Sequence, residues 1–446
     1  MKKVAIHTLG CKLNFAESST IGRQFLQNGF EVGSSNSQAE VHVVNTCSVS
    51  HRADRECRQL VRHIHRNSPE AFIIVLGCYT QLRPEEVASI NGVDLVLGTN
   101  EKFKIFDLVQ NFEKKTYPEI FVSDLTGVDD FGVAYSGDTD SRTRAFLKVQ
   151  DGCDFKCSFC TIPLARGSSR SLPVDSITQQ VRTLVEKGFK EIVLSGVNVG
   201  DYGKQSGSDL LTLLKSLVKV DGIERFRVSS IEPNLLSEPL VDFMLGEDKL
   251  CNHFHVPLQS GSNKILRLMS RRYGTDHYKK LIESIRFKDP TAGIGADVIV
   301  GFPGETDTEF EETYDFLQDL PISYMHVFTY SERPSTPAAK AVGRVEPAVR
   351  HNRNERLRML DKKKRHYFYS QFIGTSLPVL YETQDEYGNV TGLTPNYIRV
   401  KTISNEFLTN KIILTTIDQV YDDYCEGVII DHSLQTDSIK YSTINV

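Results

Sequence analysis

Three cysteines crowd into Gln150-Asp151-Gly152-Cys153-Asp154-Phe155-Lys156-Cys157-Ser158-Phe159-Cys160, with the spacing C-x3-C-x2-C. Cysteine thiolates are the ligands of iron–sulfur clusters. Three of them leave one iron of a 4Fe–4S cube open to a small molecule with its own oxygen and nitrogen donors. The alternative is a structural zinc ion completed by a residue elsewhere, although zinc loops favour C-x2-C pairs. Cys11, Cys47 and Cys78 form a second, dispersed set. Each closes an apolar run: Thr8-Leu9-Gly10-Cys11, Val44-Asn45-Thr46-Cys47 and Val75-Leu76-Gly77-Cys78. Equivalent ends of parallel strands share one sheet edge, in the crevice where α/β proteins bind ligands. Three thiols there can converge on one metal centre; the alternative is three buried packing cysteines. Cys57, Cys251 and Cys425 have no partner at ligand spacing and read as packing or surface thiols.

The elements that position these thiols follow from patterning. At 446 residues, the chain is expected to hold two to four domains. Its 40% hydrophobic and 24% charged residues exclude a disordered chain. No apolar stretch approaches the roughly 20 residues of a membrane span. The apolar run after Lys2-Lys3 is cut at His7, which makes a poor signal peptide. A soluble, cytoplasmic protein is expected. Net charge is −5, so any nucleic-acid footprint must be local. Nine cysteines, clustered in a long cytosolic chain, point to metal or catalysis rather than disulfides.

Residues 1–140 read as an α/β domain with parallel strands at Lys3–Leu9, Val41–Asn45, Phe72–Leu76 and Val93–Leu97. Helical stretches at Ala16–Asn28 and about Ala53–Arg66 lie between them. A loop or linker is expected at Tyr135–Ser141. Residues 141–371 then alternate strand and helix about six times, as in a partial (β/α)6 barrel. Its strands are expected at Ala145–Gln150, Glu191–Ser195, Arg225–Ser229, His253–Pro257, Ile294–Val300 and Tyr324–Tyr330. A basic, helical connector occupies 343–369. Residues 372–446 read as a small all-β domain, with strands at Pro378–Glu382, Ile398–Thr402 and Lys411–Thr416.

The C-x3-C-x2-C loop on such a barrel resembles the radical S-adenosylmethionine superfamily. The resemblance implies that the open iron chelates the methionine moiety, and that the cluster's electron yields a 5′-deoxyadenosyl radical. It also implies cofactor contacts at the strand ends. Leu194-Ser195-Gly196-Val197-Asn198 would meet the methionine amino group, and Ser229 and Glu232 the ribose or carboxylate. Gln259 follows the fourth strand, Val300 with Gly301 would line the adenine, and Phe159 would pack near it.

With the dispersed cysteines and a TRAM-type β domain, the whole chain resembles the methylthiotransferases of that superfamily. The resemblance implies two 4Fe–4S clusters, one on Cys153, Cys157 and Cys160 and one on Cys11, Cys47 and Cys78. S-adenosylmethionine would serve as methyl donor and as radical source, and an external reductant such as flavodoxin or ferredoxin is implied. No acid–base residue is called for, because the clusters carry the chemistry. Lys12 after the first cysteine, Ser195–Gly203 and Glu56-Cys57-Arg58-Gln59 resemble the branch that acts on threonylcarbamoyladenosine beside the tRNA anticodon. Isopentenyladenosine tRNA and a ribosomal-protein aspartate are the alternatives; a non-catalytic RNA binder with two zinc sites, or a radical enzyme whose second cluster only relays electrons, lies further off.

Local basic patches suit tRNA. Arg52, Arg55, Arg62 and Arg66 recur at helical intervals, with Arg58 nearby. Arg350–Arg365 offers a second patch, and His366, Tyr367, Phe368 and Tyr369 could stack bases. The β domain carries more acids than bases: Asp385, Glu386, Asp418, Asp422, Asp423, Glu426 and Asp431 against Arg399, Lys401, Lys411 and Lys440. Its RNA contact is expected near Asn396, Tyr397, Arg399 and Lys401.

Overall fold

The computed structural model describes residues 1–34, 38–128, 131–137 and 143–430. Asp138–Ser141 of the expected linker, Asp431 and Lys440 lie outside the described residues.

The first region contributes β1 Lys3–Thr8, β2 Glu31–Gly33, β3 Val41–Thr46, β4 Phe72–Gly77, β5 Leu95–Leu97 and β6 Glu119–Phe121. They form one sheet in the order β2-β1-β3-β4-β5-β6, and every pairing is parallel. β3 and β4 are buried at every residue, as strands covered on both faces must be. The four anticipated strands form the middle of this sheet. The edges β2 and β6 are additional, each three residues long, too short to show a period. The helix Lys12–Gln27 starts four residues before the expected Ala16, directly after Cys11. His51–Asn67 is capped by Ser50, whose side chain accepts from Ala53 N.

The second region holds β7 Arg144–Lys148, the short ribbon of β8 Gln150–Asp151 with β9 Arg170–Ser171, and then β10 Glu191–Ser195, β11 Arg225–Val228, β12 His253–His255, β13 Gly293–Val300 and β14 Tyr324–Thr329. Two parallel sheets, β7-β10-β11 and β12-β13-β14, are joined by a parallel bridge between Phe226 and Leu250. Six strands thus stand in chain order as an open barrel. Alternation sets their faces. Leu147, Ile192, Leu194, Phe226, Val228, Val298 and Val300 pack outward among the helices. Arg144, Glu191, Arg225, Arg227, His255, Asp297 and His326 occupy the opposite face and line the lumen. A helix at Glu238–Gly246 lies between β11 and β12.

The last region is a closed barrel of β15 Ser376–Gln384, β16 Asn389–Leu393, β17 Arg399–Ile403, β18 Ile412–Val420 and β19 Cys425–Ile429, in the order β15-β16-β17-β19-β18. Closure removes free sheet edges. β16 and β19 are additional to the three strands expected. This barrel seals the N-terminal ends of the lumen strands. Arg225 Nη2 donates to Leu393 O at 2.8 Å, Arg227 Nη1 to Pro395 O at 2.7 Å, and Asn396 Nδ2 to Thr291 O at 3.0 Å.

Two expectations about RNA are corrected here. Asn396 is buried against Thr291, and the Tyr397 ring stacks on His253 at 4.4 Å, so neither is an RNA contact of the barrel surface. The connector is the helix Pro347–Ser370, and most of its cations have protein partners. Arg350 pairs with Glu332 at 2.6 Å, Arg353 with Glu305 at 2.6 Å, Arg356 with Glu311 at 2.6 Å and Lys362 with Asp422 at 2.9 Å. Phe368 and Tyr369 are buried in the seam with the barrel, while His366 and Tyr367 are exposed. No helix of the described residues is long and apolar enough to cross a membrane.

Candidate active site

Cys11, Cys47 and Cys78 stand at the C-terminal ends of β1, β3 and β4, neighbouring strands of one sheet. Glycine permits their approach. Gly10 has φ +104°, and a Cβ there would lie 2.4 Å from Cys47 Cβ. Gly77 has φ +108°, where a side chain is strained. Asn14 ties the corner together: its Nδ2 donates to Leu9 O at 2.7 Å and Thr46 O at 2.9 Å, the residues at the base of two thiols. Cys47 and Cys78 are buried and Cys11 is exposed. Burial, with Cys78 and Cys11 beside it, pushes the Cys47 thiol up to about 12. Burial also raises Cys78, against the nearby Arg166. Three converging thiols, of which the buried Cys47 and Cys78 are costly to ionise without a bound cation, form a donor set that fits a metal cluster.

Cys153, Cys157 and Cys160 are half-buried in the loop after β8. Burial raises all three thiols, Cys153 to about 11 and Cys160 to about 12. Gly152 has φ +70°, and a Cβ there would meet Ser168 O at 1.9 Å. Arg271 Nη1 reaches Cys157 Sγ at 3.1 Å and also pairs with Glu232. Burial raises the Glu232 carboxyl against that partner.

The surrounding strand ends fit a polar cofactor. Buried Asn198 leaves both side-chain atoms without a partner among the described residues, and so does Ser229 Oγ. Such groups are expensive to bury unpaired. A Cβ on Gly196 would lie 2.9 Å from Gln150 Oε1, so only glycine keeps that cradle open. Ser195 is buried and its hydroxyl turns back to Val193 O. Gln259 adopts φ +73°. Phe159 packs edge-on against Phe302, with Ile299 nearby. Val300, expected at the adenine, lies wholly within the outer apolar core; Ile299 is the residue on Phe159's side.

The two thiol sets are physically coupled. The helix Cys78–Leu82 packs on Ile162–Arg166, which begins two residues after Cys160. Arg166 is buried and donates to Asn14 Oδ1 at 2.9 Å, Glu17 Oε1 at 2.8 Å and Asp151 Oδ1 at 3.0 Å. Lys102 meets Glu17 at 2.6 Å and Lys148 meets Asp151 at 3.1 Å. Burial alone would raise Glu17, yet Arg166, Lys102 and Lys148 hold it down at about 2.

The lumen between the sets is polar. His255 Nε2 and His326 Nδ1 each stand 3.1 Å from Asp297 Oδ1. Ser230 Oγ lies 2.6 Å from His255 Nδ1. This donor set is also one that a divalent cation accepts. On the facing wall, Phe15 and Ala16 pack with Phe146 and Val193, which brings the first turn of Lys12–Gln27 to the lumen.

Sequence reasoning overlooks Arg166, Arg271, Asn198 as an unpartnered amide, and the Asp297 cluster. One signal was available for the charged floor. Glu191, Arg225 and Arg227 sit within predicted buried strands, and Arg144 stands one residue before another, where charge must be paired. Arg52, Arg55, Arg62 and Arg66 are all exposed on His51–Asn67; Arg62 and Arg66 line a shallow cleft with Gln59, His63, His65 and Asn91. Arg399 is exposed on β17. Cys57, Cys251 and Cys425 are buried, Cys57 and Cys425 within apolar cores.

Family models match the first two regions of the chain. Residues 147–317 match the Radical SAM superfamily and residues 3–98 match the Uncharacterized protein family UPF0004. The threonylcarbamoyladenosine tRNA methylthiotransferase of Aquifex aeolicus is 39% identical over 404 residues, covering 90% of this chain and 96% of that protein. The Bacillus subtilis protein of the same name is 36% identical, covering 96% and 97%. The tRNA-2-methylthio-N(6)-dimethylallyladenosine synthase of Syntrophotalea carbinolica is 33% identical, covering 87% and 90%. Among solved structures, the radical S-adenosylmethionine methyltransferase TsrM of Kitasatospora setae shares the fold. Its TM-score is 0.56 at 12% identity, covering 86% of this chain and 79% of that one. Full-length identity to these relatives, on a fold that gathers two cysteine triads, shows that the chain belongs to the radical S-adenosylmethionine methylthiotransferases, enzymes whose cofactors are S-adenosylmethionine and two 4Fe–4S clusters.

Proposed function

We propose that this enzyme converts N6-threonylcarbamoyladenosine beside the tRNA anticodon into its 2-methylthio derivative. The observation that carries this reading is the coupling of two thiol triads across one polar lumen, through Arg166 and its buried partners. In this reading Cys153, Cys157 and Cys160 hold one cluster and Cys11, Cys47 and Cys78 the other. When bound, these cofactors supply the methyl group and the one-electron chemistry, and the second cluster holds the sulfur that is transferred.

The chain's own residues do the positioning. Asn198, Ser229 and the Gly196 cradle offer donors, acceptors and space to S-adenosylmethionine at the strand ends. Arg271 holds Glu232 beside Cys157. Arg166 fixes the separation of the two loops, so that the attacked carbon and the sulfur meet before solvent intervenes. The barrel floor excludes water from below. Arg52, Arg55, Arg62 and Arg66, with Arg399, take tRNA phosphates. Functional division of the chain follows residues 1–140, 141–371 and 372–446. The electron comes from a reductant protein of flavodoxin or ferredoxin type, and we assign the activity to the cytoplasm, where tRNA is found.

The test is mass spectrometry of tRNA nucleosides from cells with and without the gene. Loss of 2-methylthio-N6-threonylcarbamoyladenosine, with its precursor accumulating, is the expected result. Loss of an isopentenyl-derived nucleoside instead would keep the chemistry and change the branch. Unchanged tRNA would turn attention to a ribosomal-protein aspartate.

A further inference from the structure

We infer that Lys12 is a specificity residue that reads the carboxylate of the substrate's threonylcarbamoyl group inside the lumen. This rests on the proposed substrate and adds the group that selects it.

The first turn of Lys12–Gln27 sits against inward-facing residues of the open barrel: Phe15 and Ala16 contact Phe146 and Val193. Lys12, one helical turn before Ala16, shares that face of the helix, and its side chain remains exposed. Arg144, Arg227, Glu191 and Tyr397 of the floor lie within electrostatic range of its ammonium, without a direct contact. His253 on the floor feels the Lys12 charge in turn.

Three other cations share this end of the lumen, and all have protein partners. Arg144 pairs with Glu382, and Arg225 with Glu191 at 2.6 Å. Arg227 pairs with Glu191 at 2.9 Å and donates to Thr394 O at 3.0 Å. At this end two carboxylates face three guanidiniums, and Asp297 on the far wall is the third carboxylate of the lumen. Lys12 has no hydrogen bond or ion pair to a side chain among the described residues, yet its side chain is solvent-accessible. On the far wall, Asp297 is already occupied by His255 and His326. An unpaired ammonium beside carboxylates that already have partners calls for an anion of its own. Backbone phosphates belong to the surface, and S-adenosylmethionine belongs to the strand ends at Asn198 and Ser229, so the substrate base is the group that brings a further anion to Lys12. Of the two adenosine substituents at issue, threonylcarbamoyl ends in a carboxylate and dimethylallyl is a neutral hydrocarbon.

The experiment compares kcat/KM of the holoenzyme on two anticodon stem-loops, one bearing threonylcarbamoyladenosine and one bearing its methyl ester. Wild type should prefer the acid by about 10–100-fold, the size of a lost charge-assisted hydrogen bond. Lys12→Met should bring the acid-to-ester ratio near one, and Lys12→Arg should restore part of it. Iron content checks that each variant is loaded. An unchanged ratio in Lys12→Met overturns the inference. If Lys12→Met does not load clusters, wild type decides alone: equal use of acid and ester overturns it. A wild type that modifies neither stem-loop overturns the proposed substrate, which is a different failure.

Discussion

Cys153, Cys157 and Cys160 leave a single loop, whereas Cys11, Cys47 and Cys78 leave the ends of three strands. The loop needs only Gly152 and its neighbours to bring its thiols together. The dispersed set needs a correctly ordered sheet, because β1, β3 and β4 become neighbours only through crossovers. Local spacing therefore builds one site and topology builds the other. Arg166 joins them: it belongs to the helix after the loop but donates to Asn14 and Glu17 of the first region. The likeness in ligand type thus hides a difference in what can damage each site.

The largest expected effect separates the two triads by function. Cys157→Ala should abolish S-adenosylmethionine cleavage and product together. Cys47→Ala should leave 5′-deoxyadenosine detectable while methylthio product vanishes. Each should lower iron by about half, and full product from the Cys47 variant would break the comparison. Next comes the link. Arg166→Met leaves Glu17 and Asp151 buried against a lost partner, at a cost of about 3–5 kcal/mol. Both triads should fail at once, with a lowered melting temperature; selective loss of one would show that they are independent.

Acid titration sharpens the same point. Glu17 is held at about 2 in the fold, below its ordinary 4.5, by Arg166, Lys102 and Lys148. A depressed carboxyl stabilises fully above its unfolded value and loses that contribution as pH falls from about 4.5 toward 2. Denaturant midpoints of Glu17→Gln should fall less steeply through that window than those of wild type. The smallest effect is expected at the surface. Arg62→Ala with Arg66→Ala should weaken tRNA binding several-fold and flatten its salt dependence by about two phosphate contacts. Arg353→Ala, by contrast, should lower stability, since it leaves buried Glu305 unpaired.

The connector shows where reading a sequence misleads. Arg350, Arg353 and Arg356 look like a phosphate patch because their partners, Glu332, Glu305 and Glu311, lie 18 to 48 residues earlier. Charge counted along the chain misses acids that folding brings alongside. The Val300 side chain is a simpler case: alternation turns it outward into the apolar core and leaves its neighbour Ile299 packed with Phe159 and Phe302. The short edges β2 and β6 carry too few residues for any period. The central strands were legible because two-sided burial demands unbroken apolar runs.

Residue type and spacing alone thus determined the chemistry of the contiguous loop, the strand–helix alternation and the runs that end in Cys11, Cys47 and Cys78. These are local or periodic properties, and a chain carries them before it folds. Tertiary structure alone decided that Arg166 would bridge the triads, that Tyr397 would close the floor, and that Lys12 would face the lumen unpaired. Each depends on residues distant in sequence, and burial makes any charge among them answer to whatever partner the fold supplies.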